Sequence, residues 1–194
     1  GLHHFIYLPF FFTSLGGSIQ VDGQTVEGAV NIYNAMLNTP GMMYDIDISK
    51  YVMNGKVLFA MCGLPAAALA IYHCARPENK KKVGSLMIAA VIPAAIMGIT
   101  EPLEYSFLFV APVLYVVHAL LCGIAYVLTY LAQFNVPGPS AFGGPLLSWI
   151  FNGIMNADKG SNWFWLIPLG IAYFGIYYVL FRTFIKKFDL KTPG

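Results

Sequence analysis

The sequence predicts an all-α integral membrane protein built from transmembrane helices and re-entrant hairpins. Of its 194 residues, 58% are hydrophobic, 15% aromatic and only 10% charged. An average soluble domain is about 25% charged, so this chain carries more apolar surface than a soluble fold of its size can bury. Long apolar runs alternate with shorter runs that proline and glycine interrupt, the pattern expected of spans and half-spans.

The positive charges fall mainly in two clusters. These comprise Arg76, Lys80, Lys81 and Lys82, and then Arg182, Lys186, Lys187 and Lys191. The positive-inside rule places both clusters in the cytoplasm, so an even number of crossings must separate them. The net charge of +2 is too small to indicate a nucleic-acid partner.

The first third of the chain predicts structure at the membrane surface. Residues 1–20 are apolar but broken by Pro9 and a Gly-Gly pair, which favours a re-entrant or interfacial piece. Residues 21–56 are the most polar stretch. Within it, VEGAVNIYNAML has helical spacing of its apolar residues and predicts either an amphipathic interfacial helix or an ordinary loop helix.

Three apolar stretches follow. Residues 57–75 predict a spanning helix that Gly63 and Pro65 kink, and residues 83–99 predict a closely packed helix rich in Ala and Gly. A helix break around Glu101 comes next. The apolar run 103–132 is longer than one crossing needs, so we expect a re-entrant arm that joins a full span near Pro112.

The last third contains a turn-rich loop, QFNVPGPSAFGG, and a short apolar stretch, LLSWIFNGIM. The final run, WFWLIPLGIAYFGIYYVLFRTFIKK, predicts a spanning helix with tryptophans at its start and a basic anchor at its end. Together the chain predicts three or four spans and two or three half-spans.

Glu101 is the strongest candidate for a functional residue. It lies in GITEPLEY, where Gly98 and Pro102 disfavour a continuous helix. A carboxylate at membrane depth is costly unless it faces a polar cavity or partner, so it indicates a binding pathway. Glu104 is either a second functional acid or a first-turn acid favoured by the helix dipole.

Other polar residues have ordinary explanations. His73 and His118 are expected to be satisfied buried groups, and the three cysteines and three tryptophans are expected to pack or to lie at the membrane interface. For His3 and His4 the sequence supports a functional role and a structural role equally. No spacing of Cys, His, Asp or Glu indicates a metal site, and no phosphate-cradling glycine loop indicates a cofactor.

Four segments resemble the membrane IIC domain of phosphotransferase-system sugar permeases, in the branch for glucose, maltose and N-acetylglucosamine. They are GLHH, GKVLFAMCGLPAAALAIYH, GITEPLEYSFLFVAPVLYVVHA and the ending that starts at NWFW. The resemblance implies that residues 1–194 are the C-terminal, substrate-binding half of IIC. The N-terminal IIC helices and the IIB domain would then lie outside both ends of this sequence.

The resemblance also assigns residues. The binding glutamate of the family falls on Glu101, its histidine falls on His4 or His3, with His4 favoured, and Thr100 is a further polar contact. The phosphoryl-carrying cysteine belongs to the IIB domain, and Cys74 does not lie in its motif. No catalytic residue is therefore expected in this chain, and whether it forms part of an enzyme is left open.

The function that the resemblance implies is import of a glucose-type sugar or α-glucoside across the bacterial plasma membrane by a multi-pass protein. The expected partners are the sugar, phosphorylated IIB, the lipid bilayer and a second copy bound through the N-terminal half. From the residues alone, two alternatives stay open. One is an ion-coupled secondary transporter with Glu101 as its proton site, and the other is a scaffold in which the acids only cap helices.

Overall fold

A computed structural model describes residues 2–49, 54–136 and 144–193. Within these ranges three helices are long and apolar enough to cross a membrane: Asn54–Cys74, Pro112–Leu131 and Trp163–Lys187. The sheet in this part of the chain is a single two-stranded hairpin. The predicted all-α membrane fold is confirmed.

The chain begins with helix α1 (His3–Phe12), which a 3₁₀ turn follows. Strands β1 (Ser18–Val21) and β2 (Gln24–Glu27) then form an antiparallel hairpin. This hairpin was not predicted from the sequence. Its signal was present, because the strands are joined by an Asp-Gly pair with positive φ at both residues, the turn that favours tight hairpins.

Helix α2 (Ala29–Asn38) occupies the segment predicted to be amphipathic, although β2 and Gly28 take up its first residues. A Cβ atom at Gly28 would lie 2.5 Å from the Phe11 carbonyl oxygen, so glycine allows α1 and α2 to cross closely. The apolar side of α2 is buried against α1 and the hairpin. This is the packing of an ordinary loop helix, not of a helix lying on lipid. A short helix α3 (Ile46–Ser49) follows.

The first spanning helix consists of α4 (Asn54–Leu58), a π-helical turn (Phe59–Gly63) and α5 (Leu64–Cys74). The irregularity expected around Gly63 therefore takes the form of a π-helical turn that ends at this residue. Such turns insert an extra residue into the helical ladder and shift the faces of the helix relative to one another.

The last spanning helix, α10 (Leu166–Lys187), packs along this first span. A Cβ atom at Gly63 would lie 2.5 Å from the Tyr177 ring, and one at Gly170 would lie 2.6 Å from the Cys62 sulfur. Small residues at these points let the two helices approach closely, as is common in membrane proteins. Cys62 is a packing residue here, as predicted.

Helices α6 (Lys80–Met97), α7 (Glu101–Leu108) and α8 (Pro112–Leu131) form the central part of the chain. The predicted break around Glu101 and the predicted joint at Pro112 are both confirmed. Helix α6 begins with three lysines and is not among the three candidate spans. Helix α7 packs against α6 and α8.

The two basic clusters lie at the same end of the helices. Arg76 and Lys186 line one cleft there, close to Cys74. At the opposite end, the Asn54 side chain accepts a hydrogen bond from the Val136 amide at 3.0 Å. The carboxyl ends of α5 and α10 lie beside the two basic clusters and thus agree with the positive-inside prediction, and the carboxyl end of α8 lies on the opposite side.

The segment LLSWIFNGIM forms α9 (Pro145–Ser148) and a π-helical turn (Trp149–Ile154). A Cβ atom at Gly144 would lie 1.7 Å from the Ile96 carbonyl oxygen, so α9 starts directly against the end of α6. Most of the predicted loop before it, residues 137–143, lies outside the described residues. A 3₁₀ turn (Ala157–Lys159) then leads towards the last span.

Candidate functional site

The helix break before Glu101 is set by a left-handed glycine. Gly98 ends α6 with a φ of 72°, a conformation that glycine adopts without steric cost. Thr100 is buried at the break, and Glu101 is the exposed first residue of α7. The break therefore turns one carboxylate outward from the packed helices.

Lys56 lies beside this break, although the sequence analysis did not single it out. A Cβ atom at Gly98 would be 3.3 Å from the Lys56 Nζ atom. The Lys56 ammonium group also interacts electrostatically with Glu101 and Glu104. The sequence signal was a lone lysine at the start of an apolar span, where a charge needs a partner.

Glu104 faces the other way and belongs to a buried polar chain. One of its carboxylate oxygens lies 2.9 Å from His118 Nε2 on α8. The other ring nitrogen, Nδ1, lies 2.8 Å from the Tyr177 hydroxyl on α10. Three helices are thereby joined through one buried imidazole, a role for Glu104 that was not among the alternatives predicted from the sequence.

The contacts of His118 determine which of its two ring nitrogens carries the proton. A carboxylate only accepts, so Nε2 donates to Glu104. In the neutral ring Nδ1 then accepts from the Tyr177 hydroxyl. The rings of Phe59 and Phe107 stand edge-on to the imidazole at 5.8 and 6.0 Å and complete its enclosure. His118 is the satisfied buried group that was predicted.

The depth of this polar chain follows from its position on α10. Tyr177 is the twelfth of the 22 residues of that helix. At about 1.5 Å per residue the helix is about as long as the hydrocarbon layer is thick, so its midpoint lies near the bilayer centre. Glu104 lies at that level, and Glu101 lies less than one helical turn away.

The histidines predicted for the site are on a different element. His4 is exposed on α1, and its Nδ1 atom forms a hydrogen bond with the Tyr7 hydroxyl. Helix α1 packs mainly on α2 and the 3₁₀ turn, whereas α7 packs on α6 and α8. The structure thus brings Thr100 and Glu101 together and adds Lys56, while the placement of His4 opposite them stays a prediction. The side chain of His3 lies outside the described part of the structure.

His73 corrects one expectation. It was predicted to be buried, but it is exposed on α5, where its Nδ1 atom lies 2.7 Å from the Tyr178 hydroxyl. The same hydroxyl accepts a hydrogen bond from Arg182 at 2.8 Å. Among the described residues, no three His, Cys, Asp or Glu side chains gather closely enough to hold a metal ion.

Comparison with known proteins decides the family. The family described as Phosphotransferase system, EIIC matches residues 1–123, well over half of the chain. The chain belongs to this family. The resemblance read from GLHH and GITEPLEY is thereby confirmed.

Two relatives match over the whole chain. The maltose-specific EIICB component of the phosphotransferase system of Escherichia coli (strain K12) is 40% identical over 195 residues. The glucoside-specific EIICBA component of Staphylococcus carnosus (strain TM300) is 43% identical over 194 residues. Both matches extend over the whole of this chain, 100% of its length. The chain spans only 36% of the length of the first relative and 27% of the length of the second.

Proposed function

We propose that this chain is the sugar-binding part of an EIIC permease, which imports a glucose-type sugar or an α-glucoside across the bacterial plasma membrane. Family membership supports a transport role. The names of the two relatives support the substrate class, since one is maltose-specific and the other glucoside-specific. The observation that carries the proposal is the exposed Glu101 carboxylate at a helix break near the middle of the spans.

Glu101 holds sugar hydroxyls in this proposal. An ionised carboxylate accepts strong hydrogen bonds from hydroxyl groups, and its two oxygens can accept from neighbouring hydroxyls of one ring. Thr100 contributes a polar contact at the break, and Lys56 places a positive charge near the carboxylate. Glu104 is held by His118, so it stiffens the site and does not bind the sugar.

His4 binds the other side of the sugar, with His3 as the alternative. An imidazole can both donate to and accept from hydroxyls, which suits a ring whose hydroxyl groups do both. The hydrogen bond to the Tyr7 hydroxyl occupies Nδ1 of His4 and would orient the ring. In this arrangement the sugar bridges α1 and the break before α7.

The bound sugar is then presented to phosphorylated IIB on the cytoplasmic side. A sugar hydroxyl attacks the phosphorus, the bond from phosphorus to the IIB cysteine breaks, and the hydroxyl proton is taken up by the departing cysteine thiolate. Glu101 holds the attacking hydroxyl in position during this transfer. Both relatives carry a B component in their names, which supports IIB as the partner. A homodimer formed through segments preceding this chain belongs to the same proposal.

Uptake by the full-length protein in membrane vesicles tests this function. We expect labelled maltose or glucose to accumulate as the phosphate ester when phospho-IIB is supplied, with or without a proton gradient. Uptake that requires the gradient and ignores phospho-IIB would show an ion-coupled transporter and contradict the proposal. Sucrose and N-acetylglucosamine, added as competitors, define the substrate class in the same assay.

A further inference from the structure

A groove between α5 and α6 is an apolar surface feature that the sugar site leaves unused. It encloses about 520 Å³ between the two helices. Its walls are formed by Pro65, Ala68 and Leu69 on α5 and by Met87, Ile88, Val91 and Ile92 on α6. Ile88 is 63% exposed and Ile92 is 53% exposed, so the groove opens on the outer surface of the helix pair.

One end of this groove is polar and positively charged. Tyr72, Lys80 and Lys81 line that end, and the Lys80 ammonium group lies 5.7 Å from the centre of the Tyr72 ring. The lysines are the first residues of α6, and the segment 75–82 carries four basic residues and one acidic residue. The walls are apolar while the mouth is cationic.

The length of the groove matches one membrane leaflet. From Lys80 to Ile92 it follows twelve residues of α6, or about 18 Å at 1.5 Å per residue. One leaflet of the hydrocarbon layer is about 15 Å thick. The lysines lie at the end of the helices that the positive-inside rule assigns to the cytoplasm, so the groove runs from the cytoplasmic surface to about the bilayer centre.

We propose that this groove binds an anionic phospholipid of the cytoplasmic leaflet. Its phosphate lies between Lys80 and Lys81, and one acyl chain lies along the groove past Ile88 towards Ile92. Basic pockets between helices on the cytoplasmic side suit anionic headgroups, and each lysine near such a surface adds to the attraction. The positive charge at one end of the groove and its length of one leaflet both fit a phospholipid. A helix from another protein segment would not need two cations at one end.

Native mass spectrometry of the full-length protein tests the charge requirement. The delipidated protein is mixed with equal amounts of phosphatidylglycerol and phosphatidylcholine. We expect the protein to retain phosphatidylglycerol, and the double variant K80Q/K81Q to lose about tenfold in that retention, since two phosphate-pairing charges are removed. The double variant K186Q/K187Q removes the same charge from the other basic cluster, and we expect it to retain the lipid within about twofold.

Equal losses in the two double variants would show general attraction to a basic surface and would overturn the proposal. So would retention of both lipids alike in the unmodified protein. A photoreactive benzophenone side chain introduced at Ile88 tests the occupant directly, in vesicles that contain phosphatidylglycerol. A phospholipid adduct supports the groove as a lipid site, whereas a crosslink to another segment or a second copy shows that protein covers it and overturns the proposal.

Discussion

His118 is the residue through which α7, α8 and α10 are joined. Its two nitrogens contact Glu104 and Tyr177, and it is almost fully buried. Removing one partner of a buried charged pair leaves the other without compensation, which costs more than the pair contributes. The position of Glu101 therefore depends on a histidine that does not touch the sugar in our proposal.

We expect His118→Ala to lower the free energy of unfolding by about 3 kcal/mol, because Glu104 loses its partner and a cavity forms. Such a loss lowers the melting temperature. Thermal unfolding of the full-length protein in detergent measures it. His73→Ala is the matched control, since that exposed histidine also bonds a tyrosine hydroxyl. Equal melting temperatures for the two variants would contradict the bridging role.

Gly98 leaves little room for a side chain at the helix break. A Cβ atom there would meet Lys56 Nζ at 3.3 Å and Pro145 Cδ at 3.1 Å, in a left-handed conformation. We expect Gly98→Ala to destabilise the protein by about 1–2 kcal/mol and to weaken sugar binding. Gly123→Ala is the control, because its Cβ would meet nothing within 4 Å. Binding and melting temperature that match the unmodified protein would show that the break tolerates a side chain.

The sequence predicted Glu101 as a candidate site residue, because a carboxylate between glycine and proline in an apolar run is a local signal, whereas Thr100 was implied only by the family resemblance. The partners of these residues are not local. Lys56 lies 45 positions before Glu101, and the 59 positions between His118 and Tyr177 are bridged only in the folded chain. Nothing in the local pattern of either segment identifies the other as its partner.

Lys159 is the anchor of the polar amino-terminal elements. Its buried ammonium group donates to the carbonyl oxygens of Met36, Thr39 and Met42 at 2.8, 2.9 and 3.2 Å. These carbonyls lie at and just after the end of α2, where the helix dipole favours a cation. A second hydrogen bond joins the same two segments, because the Tyr44 backbone amide donates to the Lys159 carbonyl oxygen at 2.9 Å.

We expect Lys159→Met to loosen this junction, since three buried carbonyl groups lose their shared donor. Hydrogen exchange of residues 36–44 in the full-length protein should rise at least about tenfold, which corresponds to losing roughly 1.4 kcal/mol of local stability. Lys187→Met, at the exposed end of α10, is the control and should leave that segment unchanged. Unaltered exchange in the Lys159 variant would contradict the anchoring role.

Some secondary-structure elements could be predicted from sequence patterns alone. The long spans and the breaks at Gly98 and Pro112 follow from hydropathy and from backbone chemistry that acts locally. The β-hairpin was not predicted because its strands are only four residues long and β2 overlaps the start of a segment with helical periodicity. The π-helical turns were not predicted either, because tertiary packing and not composition decides where a helix takes an extra residue.

The whole molecule has its basic clusters at one end and its turn-forming polar segments at the other. The Tyr130 hydroxyl donates to Asp47 at 3.1 Å, and the Asn135 amide donates to the Ser161 carbonyl oxygen at 2.8 Å. These contacts gather the polar amino-terminal elements, the end of α8 and the start of the last span. The arrangement predicts the orientation of the protein in the membrane.

Cysteine labelling in vesicles of known orientation checks this orientation. In a full-length background without native cysteines, we expect Glu78→Cys to react with a membrane-impermeant maleimide only from the cytoplasmic side. Asp158→Cys should react only from the opposite side, because it lies at the other end of the helices. Both positions are exposed, so a failure to react would not reflect burial. Labelling of both from one side would contradict the topology.

In the proposed function, Glu101 binds the sugar. Equilibrium binding of maltose and glucose to the purified full-length protein tests it most directly, with Glu101→Gln compared against Glu78→Gln in the exposed basic turn. We predict that Glu101→Gln weakens binding of the preferred sugar by at least about tenfold, the loss expected for a charge-assisted hydrogen bond, with an unchanged melting temperature. Glu78→Gln should bind normally. Unweakened sugar binding by a folded Glu101→Gln protein would contradict the account.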